Sequence, residues 1–242
     1  MSETPPEAPS IRPWTLWVPI IMIALAGVIT YNWLVYLEKK SREEEAGRPP
    51  YIHRAEGDLI LTERDGRTVR LSELRGKVIL ASWVFTRCPR GCAGVVGKLK
   101  KLAEEYAGRD EVHVICFALD PDDTPAMMSS FADQVGIPKT APFWFVNGDA
   151  VKIESFMTRQ LKFRPTQVMP EKDRLSSEDK YMHDLRVVLL DHLGNVRRMA
   201  DLVNVDPEVA GYWDRQLRLD LEYLFKEKAK AERVKTTEVK QP

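Results

Sequence analysis

The hydrophobic positions of this chain fall into two regimes. From Pro13 to Leu37, 25 consecutive positions carry no charge. A bilayer-spanning helix needs roughly 20 mostly apolar residues. Trp14, Trp17, Tyr31, Trp33 and Tyr36 crowd the two ends, as interfacial aromatics do. The segment predicts one uncleaved transmembrane anchor over 13–37. A buried core helix would be shorter and carry a polar face. A cleaved leader would show a small-residue site, and none precedes Glu38-Lys39-Lys40.

Beyond the anchor, short apolar runs alternate with helical spacing. Leu59–Leu61 and Thr68–Leu71 flank Asp65-Gly66, a hairpin signal. Val78–Phe85 and Val112–Leu119 read as buried strands, with a helix over Ala93–Tyr106 between them. A helix over Pro125–Val135, a strand over Phe143–Val146 and a helix over Ala150–Arg159 follow. Residues 161–181 are polar and predict a long irregular insertion. Leu185–Leu190 and Val196–Ala200 predict strands around a Leu193-Gly194-Asn195 turn. A long helix starts near Pro207, and its apolar stripe of Trp213, Leu217, Leu221 and Leu224 reads as core packing. The order predicts an α/β sandwich with a mixed sheet. The expected divisions are a disordered 1–12, the anchor 13–37, a charged tether 38–56, a globular domain 57–225, and a charged helix end and tail over 226–242.

Composition adds exclusions. The 242 residues carry 36 basic and 36 acidic side chains, which argues against a nucleic-acid partner. Three cysteines are too few for a disulfide-dense scaffold, and the odd number leaves at least one outside any intrachain pair. Lys39, Lys40 and Arg42 follow the anchor, so the positive-inside rule alone would place the globular domain in the cytoplasm.

The candidate chemistry lies in Phe85-Thr86-Arg87-Cys88-Pro89-Arg90-Gly91-Cys92. Two cysteines stand four apart where a buried strand meets a helix, the edge of an α/β sheet where ligands bind. Placed on a first helical turn, i and i+4 face one way, and the helix N-terminus favours thiolate. Two thiolates select Cu(I) or zinc, and a neutral imidazole suits either. Of the four histidines, His183 is the best third ligand, because it directly precedes a strand that would fix it. His192 lies about 9 residues on, roughly 30 Å away at strand rise. His53 falls in the tether, and His113 starts a strand at the opposite edge. Cys116, mid-strand, reads as a core residue.

These residues resemble the SCO/SenC family of thioredoxin-like copper proteins, which support assembly of the copper centre of cytochrome c oxidase. The resemblance spans most of 57–225. It rests on Asp65-Gly66, Leu71-Ser72-Glu73-Leu74-Arg75-Gly76-Lys77 and the Cys88-Pro89-x-x-Cys92 segment. It continues through Leu119-Asp120-Pro121-Asp122-Asp123-Thr124-Pro125 and Phe145-Val146-Asn147-Gly148, and His183 stands eleven residues before Gly194. It implies a thioredoxin-like fold, copper held by Cys88, Cys92 and His183, and a Cys88/Cys92 redox pair. It further implies a copper-receiving oxidase subunit as partner, with exchange to other copper or thiol carriers. The location implied is single-pass in the inner membrane, the domain facing the periplasm or an equivalent compartment. That side is the oxidising one a working cysteine pair suits, and it outweighs the basic flank. Arg90 stands where the family has an acidic residue, Ala93 where it has proline, and Met182 where aspartate precedes the histidine, with Asp184 following. Arg90 is expected to add positive charge beside the thiolates. Two further functions fit the residues: a thiol-disulfide oxidoreductase in which Cys88 attacks and Cys92 resolves, and a non-catalytic assembly scaffold.

Overall fold

The computed structural model describes residues 13–109 and 111–239. The expected disordered 1–12 and the last residues of the tail, 240–242, lie outside them. The chain forms two compact units, divided between Arg48 and Pro49.

The first unit is helix α1, Pro13–Ala46. Within it Trp17–Ser41 is, among the described residues, one helix long and apolar enough to cross a membrane, and its apolar side chains are exposed. The helix continues nine residues past Leu37, so much of the expected tether is helical. Glu38-Lys39-Lys40 and the residues after them contain no glycine or proline before Gly47 to stop the helix.

The second unit begins earlier than the expected residue 57. Strand β1 is His53–Arg54, followed by β2 (Ile60–Glu63), β3 (Thr68–Arg70), β4 (Val78–Val84), helix α2 (Cys92–Glu105), β5 (Val112–Ala118), α3 (Pro125–Val135) and β6 (Phe143–Asn147). Then come α4 (Ala150–Ser155), β7 (Gln167–Val168), β8 (Tyr181–Met182), β9 (Val187–Leu190), β10 (Asn195–Ala200) and α5 (Pro207–Val239). Among the described residues the main sheet has eight strands in the order β1-β10-β9-β4-β5-β6-β2-β3. It is mixed: β4 runs parallel to β5 and antiparallel to β9, and β5 runs parallel to β6. The parallel strands β4 and β5 are covered on both faces and read as near-continuous apolar runs for that reason. One face packs Val78, Leu80 and Val84 against α2 and α5. The other packs Ala81, Trp83, Ile115 and Phe117 against Ile153 and Met157.

The stripe on α5 packs as expected, with Leu217, Leu221 and Leu224 fully buried and Trp213 partly so. The helix runs to Val239, well past the expected end of the packed domain. Residues 49–54 are held on the sheet by buried Arg197, which donates to the carbonyls of Pro49 and Pro50, to Asp191 and to Glu227. The 161–181 insertion is also more ordered than its polarity implied. It buries Leu161, Phe163, Met169 and Asp179, and β7 pairs with β8 to form a ribbon. Its apolar residues are spaced too widely to show a period, which is why the sequence pattern reads as loop.

Candidate metal centre

Strand β4 ends at Val84, and the chain then turns through Phe85–Gly91 into α2. Helix α2 starts at Cys92, so Cys88 is not on its first turn; it lies in the preceding loop. The two sulfurs still face each other, because the loop folds back over the helix start. Gly91 makes this possible. Its φ of 151° favours glycine, and a Cβ there would meet Leu185 Cδ1 at 3.2 Å. Cys88 is half-buried and its sulfur accepts from the Arg90 N–H at 3.4 Å and from the backbone N–H of Cys92. Cys92 is fully buried.

The third group arrives from 91 residues away. Strand β9 is antiparallel to β4, with Ala81 opposite Val188. Residues just before β9 therefore lie beside residues just after β4. His183 sits there, in the four-residue turn between β8 and β9, ahead of the strand as expected. Its Nε2 is 3.2 Å from Cys92 Sγ, and its Nδ1 is 3.1 Å from the carbonyl of Asp184. With a metal bound, a proton on Nδ1 donated to that carbonyl would leave the Nε2 lone pair for the ion; without one, Nε2 can carry the proton and donate it to the Cys88 sulfur. Among the described residues, the ligand atoms of Cys88, Cys92 and His183 lie within 4.8 Å of one another. A three-coordinate ion with bonds of roughly 2.0–2.3 Å sets its ligand atoms about 3.5–4 Å apart, so this group has the spacing and the soft donor set for one metal ion. The other histidines are elsewhere: His113 stacks edge-on against Trp144, and His192 lies in the β9–β10 turn. Cys116 is fully buried on β5, and burial pushes its thiol up.

The two cysteines differ in charge state. Cys88 is pushed down to about 3, first by the hydrogen bond that the Cys92 thiol donates to it, then by His183 and by the backbone N–H groups of Cys92 and Arg90. Cys92 is pushed up because its thiol proton is held by Cys88 and because it is buried. Thiolate is the reactive form. A lowered value keeps Cys88 ionised as pH falls, until pH approaches about 3. In the reduced, metal-free chain, alkylation of Cys88 by iodoacetamide is therefore expected to change less than about threefold between pH 8 and 5. An ordinary thiol slows about tenfold per unit below its value near 8.5. Mass-spectrometric labelling rates at Cys88 check this, and a tenfold fall per unit would refute it.

Arg90 keeps a charge attraction to the Cys88 thiolate, as expected. Its guanidinium also pairs with Asp179, with Nε at 2.8 and 3.0 Å from the two carboxylate oxygens, and donates to the carbonyl of Asp173 at 2.8 Å. Asp179 is 1% exposed and is held below the usual carboxylate range by this contact. Arg87, on the other side of Cys88, bridges Asp120 at 2.6 Å and Glu178 at 2.9 Å. Asp123, fully buried, accepts from the backbone N–H and hydroxyl of Thr86. Thus two arginines of the cysteine loop grip Glu178 and Asp179, four or five residues before His183. Sequence reasoning missed Arg87, Asp120, Asp123, Glu178 and Asp179 as supports of the site. The available signal was two arginines beside the cysteines and acids in both facing segments. Asp184 is paired with Arg186 and accepts from the Arg164 N–H, which fixes the turn on the far side of His183.

Fold and site together define a thioredoxin-like domain carrying a two-cysteine, one-histidine group. The chain belongs to the SCO1/SenC family, whose family model matches residues 48–213. It is 28% identical over 137 residues to the SCO1 protein homolog of Bacillus subtilis, which is 55% of this chain and 66% of that protein. The chain spans about half to two thirds of the length of the curated relatives it matches. Two solved structures share the fold. BsSco, a member of the Sco family of cytochrome c oxidase assembly proteins with a disulfide switch, has a TM-score of 0.54 at 21% identity, covering 72% of this chain and 97% of that one. ScoI of Arabidopsis thaliana, solved with copper bound, has a TM-score of 0.51 at 17% identity, covering 68% and 98%.

Proposed function

We propose that this chain is a membrane-anchored copper carrier that binds one Cu(I) through Cys88, Cys92 and His183. It delivers the ion to the copper-receiving subunit of cytochrome c oxidase. The observation that carries this reading is the convergence of two sulfurs and an imidazole Nε2 within 4.8 Å. Family membership and relatives described as copper-bound or as oxidase assembly proteins support it. Copper here is cargo. Half-exposed Cys88 is the sulfur that an acceptor's ligand can displace first. Cys92, buried against His183, leaves last. Helix α1 is the single membrane anchor, in an inner membrane, with the domain on the periplasmic or equivalent side. There an oxidant can close Cys88–Cys92 into a disulfide, both thiols losing a proton and an electron, which removes two of the three ligands. A reporter fused after Pro242 and active only in the cytoplasm would overturn the orientation.

The test is anaerobic titration of the reduced full chain with Cu(I) against a chromophoric competitor. One equivalent is expected to bind, and Cys88→Ser or Cys92→Ser is expected to abolish competitive binding. Binding unaffected by either change would refute the site.

The cysteine asymmetry favours a second reading, a thiol-disulfide reductant. Cys88 thiolate would attack a partner disulfide, and Cys92 would resolve the mixed disulfide, leaving this chain oxidised and the partner with two thiols. Function that survives His183→Ala but not Cys88→Ser selects this reading over copper delivery.

A further inference from the structure

On the sheet face away from α2 and α5 lies a cavity of about 550 Å³ that the copper chemistry does not use. Sites for small molecules span roughly 300–1,000 Å³ and are mostly apolar with a few placed polar groups. The floor here is Ile79, Ala81, Ile115, Phe117 and Leu190, near the amino-terminal half of β4. Ala81, on β4, is seven residues before Cys88 and faces the opposite core from α2, so this is a separate site. The polar groups lie at the rim. Arg54 and Arg75 supply positive charge there.

The acids at the rim do not cancel them. Asp191 is already held by Arg197 at 2.8 Å and by Asn195, which leaves Glu56. Asp58 attracts Arg75 at longer range. Arg54 and Arg75 make no side-chain hydrogen bond or ion pair among the described residues. His192 also lines the cavity, and its Nδ1 is buried with no hydrogen-bond partner among the described residues. A buried imidazole nitrogen without a partner is costly unless something supplies one.

The wall is irregular where it meets the cavity. Phe156–Gln160 forms a π-helical turn, a feature common at functional sites. Phe156 lines the cavity, and Gln160 accepts from the Glu56 N–H at 3.0 Å, tying wall to rim. Two residues on, Lys162 is the one non-glycine residue with positive φ, at 60°, among the described residues.

An apolar floor, a cationic rim and an unpartnered imidazole call for a ligand with an apolar body and an anionic head. We propose that this cavity binds a single-chain acyl amphiphile with an anionic head, the long-chain carboxylate of a fatty acid or the phosphate of a lysophospholipid. The acyl chain lies on Ile79 and Phe156, which are partly exposed over buried Ala81 and Phe117, and the head meets Arg54, Arg75 and His192. The inference is independent of the copper reading.

The test uses the full chain in phosphatidylcholine nanodiscs with a diazirine-bearing palmitate, photolysed and mapped by peptide mass spectrometry. Labelling is expected on the peptides containing Ile79 or Phe156. Excess palmitate is expected to displace it at least tenfold better than palmityl alcohol does. Arg75→Glu, at the exposed rim, and Ile79→Asp, which puts a like charge on the partly exposed apolar floor, are each expected to cut labelling about tenfold or more, with circular dichroism and thermal unfolding as the check on folding. Stronger displacement by lysophosphatidylglycerol than by palmitate supports the site and assigns the head as phosphate. Labelling confined to residues 17–41, displacement by the alcohol equal to that by palmitate, or labelling unchanged in folded Arg75→Glu overturns the proposal.

Discussion

Replacing His183 by alanine is expected to weaken Cu(I) binding by the reduced chain by roughly a hundredfold to a thousandfold while leaving Cys88 reactive. Structural metal sites with four ligands release about 10–16 kcal/mol, so one ligand is worth about 3–4 kcal/mol, and every 1.4 kcal/mol is tenfold. Nε2 of His183 stands 3.2 Å from Cys92 Sγ, and no other histidine reaches the group of ligand atoms. The remaining pair can hold Cu(I) through two sulfurs only, so the ion becomes accessible to competitors. The thiolate at Cys88 rests first on the Cys92 thiol and partly on backbone N–H groups, and these remain. Iodoacetamide labelling of Cys88 is therefore expected to stay fast at pH 5 in the variant. Competitive titration and labelling on the same preparation separate the two effects. Copper affinity within threefold of the parent would remove His183 from the site.

The second large effect is expected at a residue that touches no metal. Asp179→Ala removes the carboxylate that accepts both Arg90 Nε contacts and the Leu175 N–H. This pair latches the 161–181 insertion onto the cysteine loop, and the chain reaches His183 four residues later. Groups that orient a ligand typically change metal affinity 10–100-fold when lost. Asp179→Ala is expected to lower Cu(I) affinity within that range and to expose the insertion to limited proteolysis. The reversal Arg90→Asp with Asp179→Arg restores the pair and is expected to recover most of the affinity. A general packing defect would not respond to restored charge complementarity. Equal loss in the single and the double variant would show that the pair does not position His183.

These two residues mark where reading a sequence succeeds and stops. Cys88 and Cys92 were legible because the pattern around them is local: a buried strand, a proline, a glycine and a helix within fifteen residues. The strand reading of Val78–Phe85 and the helix reading of Pro125–Val135 worked for the same reason, since burial on both faces leaves a continuous apolar run and burial on one leaves a period. The placement of Cys88 on a helical turn failed because Gly91, at φ 151°, starts the helix four residues later. The pairing of Arg90 with Asp179 was not legible because that partner lies 89 residues away. In the insertion, scattered buried residues such as Leu161, Phe163 and Met169 carry no period, so a packed ribbon reads as loop.

The sequence by itself determined the apolar helix, the alternating α/β order, the cysteine pair at a strand's carboxyl edge and the family resemblance, because composition, spacing and periodicity are properties of neighbours. Only the tertiary structure decided that the antiparallel pairing of β9 with β4 carries His183 to Cys92. It alone gave Arg87 and Arg90 their acidic partners, and it alone left a cavity above Ala81. Each of these depends on strand order, which brings together side chains that nothing along the chain relates.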